Sequence, residues 1–210
     1  MTGVDGGGLL VIISAPSGAG KDTVIQRLVK ALDGAIVYVT ATSRRPRRGE
    51  VHGRDYYFYE PAKFREEIEA GNFLEWSIVH GDFKGVRRDV LADTLREHRY
   101  VIVKPDPQGM RKIKAQLPEA LTVFIMPPSV GALRRRLVTR GTESDEQLEL
   151  RLRNAEIEMA AAPEYDHVVV NEDGRIDETV AEIARIVRKE AERPRHYDLA
   201  GADGASRGAR

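Results

Sequence analysis

The chain has no cysteine, no net charge and no long hydrophobic run. Without cysteine there can be no disulfide, thiol nucleophile or cysteine-held zinc, which fits a reducing compartment. Lys plus Arg and Asp plus Glu both number 33, so no global field favours nucleic acid or an anionic membrane surface. Any anion site must come from local clustering. No stretch reaches membrane-spanning length, and Met1–Gly8 is glycine-rich without a basic region, unlike a signal peptide. The expectation is a soluble cytoplasmic protein with no nucleic-acid or membrane partner. A chain of 210 residues is expected to form one domain, with or without insertions, around a sizeable core.

The most informative stretch is Ala15-Pro16-Ser17-Gly18-Ala19-Gly20-Lys21-Asp22-Thr23, directly after the apolar run Leu9–Ile13. A continuous β-branched run reads as a buried strand, and Val24, Ile25, Leu28, Val29 and Leu32 share one face of a helix. Strand, small-residue loop and helix form the setting of a phosphate-binding loop, with backbone N–H groups turned inward and a positive helix end behind them. Lys21 adds a mobile cation. Against the pattern G-x-x-x-x-G-K-[ST], Ala15 replaces the first glycine and Asp22 replaces the Mg²⁺-ligating hydroxyl. Asp22 is a harder oxygen ligand than serine, but it sets a negative charge beside a polyphosphate.

Strand-like runs at Leu9–Ser14, Ile36–Thr40, Tyr100–Val103, Leu121–Met126 and His167–Val170 alternate mostly with helical periodicity. This predicts an α/β fold with a parallel sheet covered on both faces. Ligands of such sheets sit outside the carboxyl ends of the strands, here Pro16–Asp22, Thr40–Arg44, Lys104–Gln108 and the loop after Met126. Residues 40–89 break the alternation and read as an inserted, mostly β subdomain, with a short helix near Pro61–Ala70. A second insertion, 131–162, reads as two charged helices joined at Arg140-Gly141-Thr142. The helix Asp177–Glu192 closes the core. Residues 1–8 are expected to be flexible and 197–210 to be a disordered tail.

Two further constellations carry chemistry. Arg44, Arg45, Arg47 and Arg48, stiffened by Pro46 and ended by Gly49, form a cationic patch whose guanidinium forks match phosphate geometry, with the Tyr56 hydroxyl nearby. An arginine run alone is as often a solvated loop, and the neighbouring phosphate loop favours the anion site. In Phe73-Leu74-Glu75-Trp76, strand alternation sets Glu75 opposite Leu74 and Trp76, where an inward carboxylate suits the N–H pair on one edge of guanine. His52 and His80 are not at metal-ligand spacing, and incidental polar roles are expected for both.

Taken together, the segment from Thr42 through Arg44, Pro46, Arg47, Gly49, Glu50, Val51, Gly53, Asp55 and Tyr56, with Phe73-Leu74-Glu75-Trp76, Pro127-Pro128-Ser129, Arg140-Gly141-Thr142 and Val169-Val170-Asn171, resembles the guanylate kinases over about Leu9 to Arg193. The resemblance implies a P-loop core, a GMP-binding subdomain and a helical lid, with transfer of the ATP γ-phosphoryl group to GMP in the presence of Mg²⁺. It implies that residues 15–23 hold ATP with Asn171 near adenine, and that Arg44, Arg47 and Tyr56 hold the GMP phosphate. Thr40, Glu75 and Asp106 would meet guanine. Lys21, Arg136, Arg140 and Arg151 would close on the transferring phosphate.

Three positions depart from the family pattern. Asp22 replaces a serine, Lys104 replaces the first Asp of Asp-x-Asp-x-Gln-Gly, and Lys84 replaces the second Tyr of Gly-Asn-Tyr-Tyr-Gly. A carboxylate lost at one position returns at another, which predicts that Asp22 and Lys104 face each other and that Asp22 takes part of the Mg²⁺ duty. Lys84 would bind the acceptor phosphate as a point charge. Two alternatives stay open at this point: a catalytically reduced guanylate-kinase-like binding module, and a related P-loop kinase acting on a sugar phosphate.

Overall fold

The computed structural model describes residues 3–5, 7–79, 81–139 and 145–199. At its centre are five parallel strands: β2 (Leu9–Ser14), β3 (Ala35–Val37), β8 (Tyr100–Val103), β9 (Leu121–Met126) and β10 (His167–Val170), ordered β10-β9-β2-β8-β3. The uninterrupted apolar character of β2 follows from its central place, since both of its faces are covered. Leu10 and Ile12 point to a core shared with α3 (Arg88–Glu97) and α4 (Pro107–Gln116). Leu9, Val11 and Ile13 point to the opposite core, shared with α1 (Lys21–Ala31) and α7 (Ile176–Glu190).

The chain leaves this sheet twice. Between β3 and α3, strands β4 (Ala41–Thr42), β5 (Tyr57–Phe58), β6 (Phe73–Val79) and β7 (Asp82–Arg87) form a second sheet, ordered β5-β4-β7-β6. Helix α2 (Pro61–Glu69) sets Phe64 against that sheet, stacked on Phe73 with ring centroids 4.3 Å apart and on Phe83 at 5.3 Å. Arg87 locks the junction with the main sheet. Its guanidinium donates to Glu67 and Asp89 at 2.7 Å each, and its backbone N–H donates to the Tyr38 hydroxyl at 2.9 Å. The hydrogen bond from Arg87 pulls the Glu67 carboxyl down to about 2. The second excursion consists of α5 (Val130–Thr139) and α6 (Asp145–Ala160), with Leu133, Leu137, Leu152 and Ala155 buried between them.

Both chain ends correct the sequence expectation. Residues 3–5, expected to be flexible, form β1 (Gly3–Asp5), which pairs antiparallel with β11 (His196–Asp198), whose last two residues fall in the segment expected to be disordered. The reason lies in two apolar side chains beyond Arg193: Tyr197 and Leu199 are 1% and 4% exposed against the α3–α4 face of the core. The Tyr197 hydroxyl also accepts from the Leu10 N–H at 3.1 Å. Residues 200–210 lie outside the described residues. Because Tyr197→Phe leaves that N–H without its side-chain acceptor, we expect a loss of about 1–3 kcal/mol in urea unfolding. A change under about 0.3 kcal/mol would show that the Tyr197 hydroxyl adds nothing.

Candidate active site

The loop from Ala15 to Gly20 turns from β2 into α1 with Gly18 at φ 90° and Gly20 at φ 91°, the left-handed region in which a side chain is strained. Space forbids a side chain as well. A Cβ on Gly18 would lie 2.9 Å from Leu137 of α5, and one on Gly20 would lie 2.9 Å from the Asn171 amide. The loop encloses a cavity of about 300 Å³ lined by Ala15, Pro16, Ser17, Gly18, Gly20, Lys21, Asp22, Thr23 and Glu158. Burial lowers the Lys21 pKa, Asp22 raises it, and Lys104 lowers it further. Among the lining residues the sequence reading missed Glu158, whose carboxylate accepts from the Ser17 N–H at 3.2 Å. The available signal was its spacing of seven from Arg151, which sets both on one helix face.

Asn171 and Arg136 support the loop from behind. Asn171 is 5% exposed, donates its amide to the Ala19 carbonyl at 2.8 Å and accepts from the Thr179 hydroxyl. Arg136 donates to the same carbonyl at 3.2 Å, to the Asn171 carbonyl at 2.7 Å and to Asp173 at 2.6 Å. Asn171 was expected near adenine and Arg136 on the transferring phosphate. The Asn171 amide donates to the loop backbone, and the Arg136 guanidinium divides its donors among that loop, the Asn171 carbonyl and Asp173. Arg151 is exposed on α6, and Arg140 lies outside the described residues, as does His80.

A second cavity of about 300 Å³ lies between the two sheets, lined by Thr40, Tyr56, Glu75, Ser77, Val79, Lys84, Gly85, Val86, Val103, Lys104, Pro105 and Asp106. Glu75 is 8% exposed, and among the described residues its carboxylate has no hydrogen bond or ion pair. Burial pushes its pKa up to about 7, opposed by the Lys112 charge and reinforced by Asp106. Simple alternation does not describe this strand. A bulge in the β6–β7 pairing between Phe73 and Glu75 lets Leu74 and Glu75 both be buried, whereas Trp76 is 38% exposed. One Asp106 oxygen caps α4 by accepting from the Gly109 N–H at 2.8 Å. Gly109 has to be small, because a Cβ there would lie 2.8 Å from Pro105 and 3.2 Å from the Glu75 carboxylate.

At the outer rim, Glu50 accepts two hydrogen bonds from Arg44, at 2.8 and 2.9 Å, and one from the Arg47 N–H at 2.7 Å. Arg44 lies over the Tyr56 ring at 5.5 Å, and Lys84 over the same ring at 5.8 Å. The Arg47 side chain is exposed. The cationic patch is therefore already ordered around Tyr56, with Glu50 as its internal clamp.

The two cavities share a wall. Lys104 lines the second, Asp22 lines the first, and Lys104 Nζ lies 2.8 Å from Asp22 Oδ1. The predicted facing of these two residues is therefore present. A larger hollow of about 400 Å³, bordered by Lys114, Leu121, Asp166, His167, Glu190 and Arg195, lies at the opposite, amino ends of β9 and β10. There Lys114 is paired with Asp166 and Arg195 with Glu190, so its cations serve the fold.

Comparison with known proteins adds an independent line. The family model described as guanylate kinase matches residues 8–190. The guanylate kinase of Corynebacterium jeikeium is 42% identical over 183 residues, 86% of this chain and 96% of that protein. The guanylate kinase of Dechloromonas aromatica is 38% identical over 197 residues, 91% of this chain and 96% of that protein. Among solved structures, the guanylate kinase of Anaplasma phagocytophilum superposes with a TM-score of 0.68 at 29% identity, covering 96% of this chain and 93% of that one.

The buried, unpaired Glu75 makes a checkable demand on stability. Its folded pKa lies above the unfolded value, so the folded state binds more protons between about pH 4.5 and 7, and stability falls as pH rises through that window. Glu75→Gln removes the penalty. We expect the variant to be more stable than the parent by on the order of 2 kcal/mol in urea unfolding at pH 8, with the gap closing by pH 5. A gap independent of pH would show that Glu75 is not held in this state.

Proposed function

This chain belongs to the guanylate kinase family, enzymes that transfer the γ-phosphoryl group of ATP to GMP, and on that premise we propose how its residues divide the reaction. The observation that carries the reading is the common wall between two cavities of matched chemistry, joined by Lys104 and Asp22. The loop cavity takes the ATP phosphates: inward N–H groups and the α1 end meet the β-phosphate, and Lys21 bridges toward the γ-phosphate. The second cavity takes GMP, with its phosphate at Arg44, Arg47, Tyr56 and Lys84 and its base at Glu75, Thr40 and Asp106. Arg136 acts by holding the loop, and Arg151 and Arg140 supply lid charge.

Phosphoryl transfer needs alignment and charge neutralisation more than covalent help. The acceptor is already a phosphate oxyanion, so no general base is required. Glu50 keeps Arg44 over Tyr56 before the ligand arrives, which lowers the ordering cost of binding. The donor set suits Mg²⁺, a hard cation that takes one or two carboxylates together with substrate phosphates. Asp22 would hold it at the loop, where the bound ion neutralises polyphosphate charge. The lack of cysteine supports a cytoplasmic setting, and the reaction would recycle GMP in purine nucleotide metabolism. Among the described residues no helix is long and apolar enough to cross a membrane.

Guanine donates its N–H pair only to an ionised Glu75. We expect the KM for GMP to fall by about tenfold between pH 6 and pH 8, and Glu75→Gln to abolish that dependence and weaken selectivity over AMP. Lys21→Ala should lower kcat by about a thousandfold or more. The assay is ADP release with MgATP and GMP, AMP, UMP or a sugar phosphate. Release with a sugar phosphate and not with GMP, or ATP binding without turnover, would contradict the reading.

A further inference from the structure

The Lys104–Asp22 pair is supplied neither by the phosphate-loop motif nor by the family pattern, which has a hydroxyl and a carboxylate at these two positions. Its side chains are 45% and 72% exposed. An ion pair so open to water stabilises a fold by about 1 kcal/mol or less, so the contact is easily broken. Its position is more telling than its strength. Lys104 extends from the end of β8 beside Val103 and Pro105, which line the GMP cavity, and its ammonium reaches across to a residue of the ATP cavity. Lysine is a compact charge on a flexible stem. A polyphosphate beside Asp22 offers the ammonium a more highly charged partner than a single carboxylate.

We propose that Lys104 is a catalytic cation of this enzyme, resting on Asp22 in the free state and moving onto the phosphoryl group in transit when both cavities are filled. The proposal rests on the kinase reading above. In the transfer, the bond from the γ-phosphorus to the β–γ bridging oxygen breaks as a bond to a GMP phosphate oxygen forms, and the leaving electron pair stays on ADP. No proton is needed from Lys104, which neutralises charge on the equatorial oxygens. Lys21 approaches the same group from the loop, so the phosphoryl would be held by two cations. Beside its share in holding Mg²⁺, Asp22 keeps Lys104 at the boundary of the cavities and releases it when donor phosphates arrive.

A bland account competes with this one: Lys104 only cancels the charge that Asp22 brings into the loop. Comparing K104M in two backgrounds separates them. In the parent, K104M is expected to weaken ATP binding about tenfold by calorimetry and to slow the single-turnover rate with GMP about a hundredfold. In the D22S background, where no carboxylate remains to be cancelled, K104M should leave ATP affinity within threefold of D22S alone and still slow the chemical step about a hundredfold. K104R should recover part of that rate. Equal single-turnover rates for D22S and D22S/K104M, within threefold, would overturn the proposal, as would a K104M rate within threefold of the parent. Absence of GMP turnover in the unaltered protein would instead overturn the kinase reading. Thermal unfolding of each variant monitors the fold, which these exposed positions should leave intact.

Discussion

Two neighbouring strands that run in the same direction have to end at the same edge of their sheet, and the organisation of this molecule follows from that constraint. Leu9 to Ile12 pair in parallel register with Tyr100 to Val103, and the Ser14 hydroxyl then donates to the Pro105 carbonyl at 2.9 Å. One strand leaves this edge as the Ala15–Gly20 loop and the other as the floor of the second cavity. Their proximity is thus a property of the sheet, which is buried on both faces and rigid. Helices α5 and α6 and the second sheet need only bring their side chains to a meeting point that already exists.

Polar groups inside the second sheet show how a binding site differs from a structural one. Arg87 and Glu75 are both nearly buried, at 9% and 8% exposure. Arg87 is surrounded by Glu67, Asp89 and two aromatic rings, and every part of it serves the fold. Glu75 accepts no hydrogen bond among the described residues, and burial raises its pKa although Lys112 opposes the rise. A folded chain retains a penalty of this kind where a ligand can remove it, which suits Glu75 to the binding role proposed above.

Much of this was legible in the sequence because the informative features are local. The apolar run of β2, the glycines of the loop and the helix periodicity of α1 are short-range signals, and their joint spacing identifies the cleft. The facing of Asp22 and Lys104, 82 residues apart, was also readable, since an exchange of charge between two motif positions makes sense only if they meet. What escaped depended on packing or on small irregularities. Around the β6 bulge three successive residues, Phe73, Leu74 and Glu75, are buried, which strict alternation forbids. Asn171 and Arg136 read as ligand contacts because their types suit that task, and the hydrogen bonds that both make to the carbonyl of Ala19 were not legible. Tyr197 lies in a polar stretch with no periodicity, and only the tertiary structure shows the buried Leu10 N–H that it meets.

The central claim is that donor and acceptor occupy one continuous cleft with the transferring group between them. A dinucleotide joining adenosine and guanosine through five phosphates tests this directly by equilibrium calorimetry. If the cavities form one cleft, tethering turns the second binding step into an intramolecular one, and the compound should bind about 10²- to 10⁴-fold more tightly than ATP or GMP alone. Affinity no better than that of ATP, with GMP still binding at full strength beside it, would place the two sites apart and contradict the account.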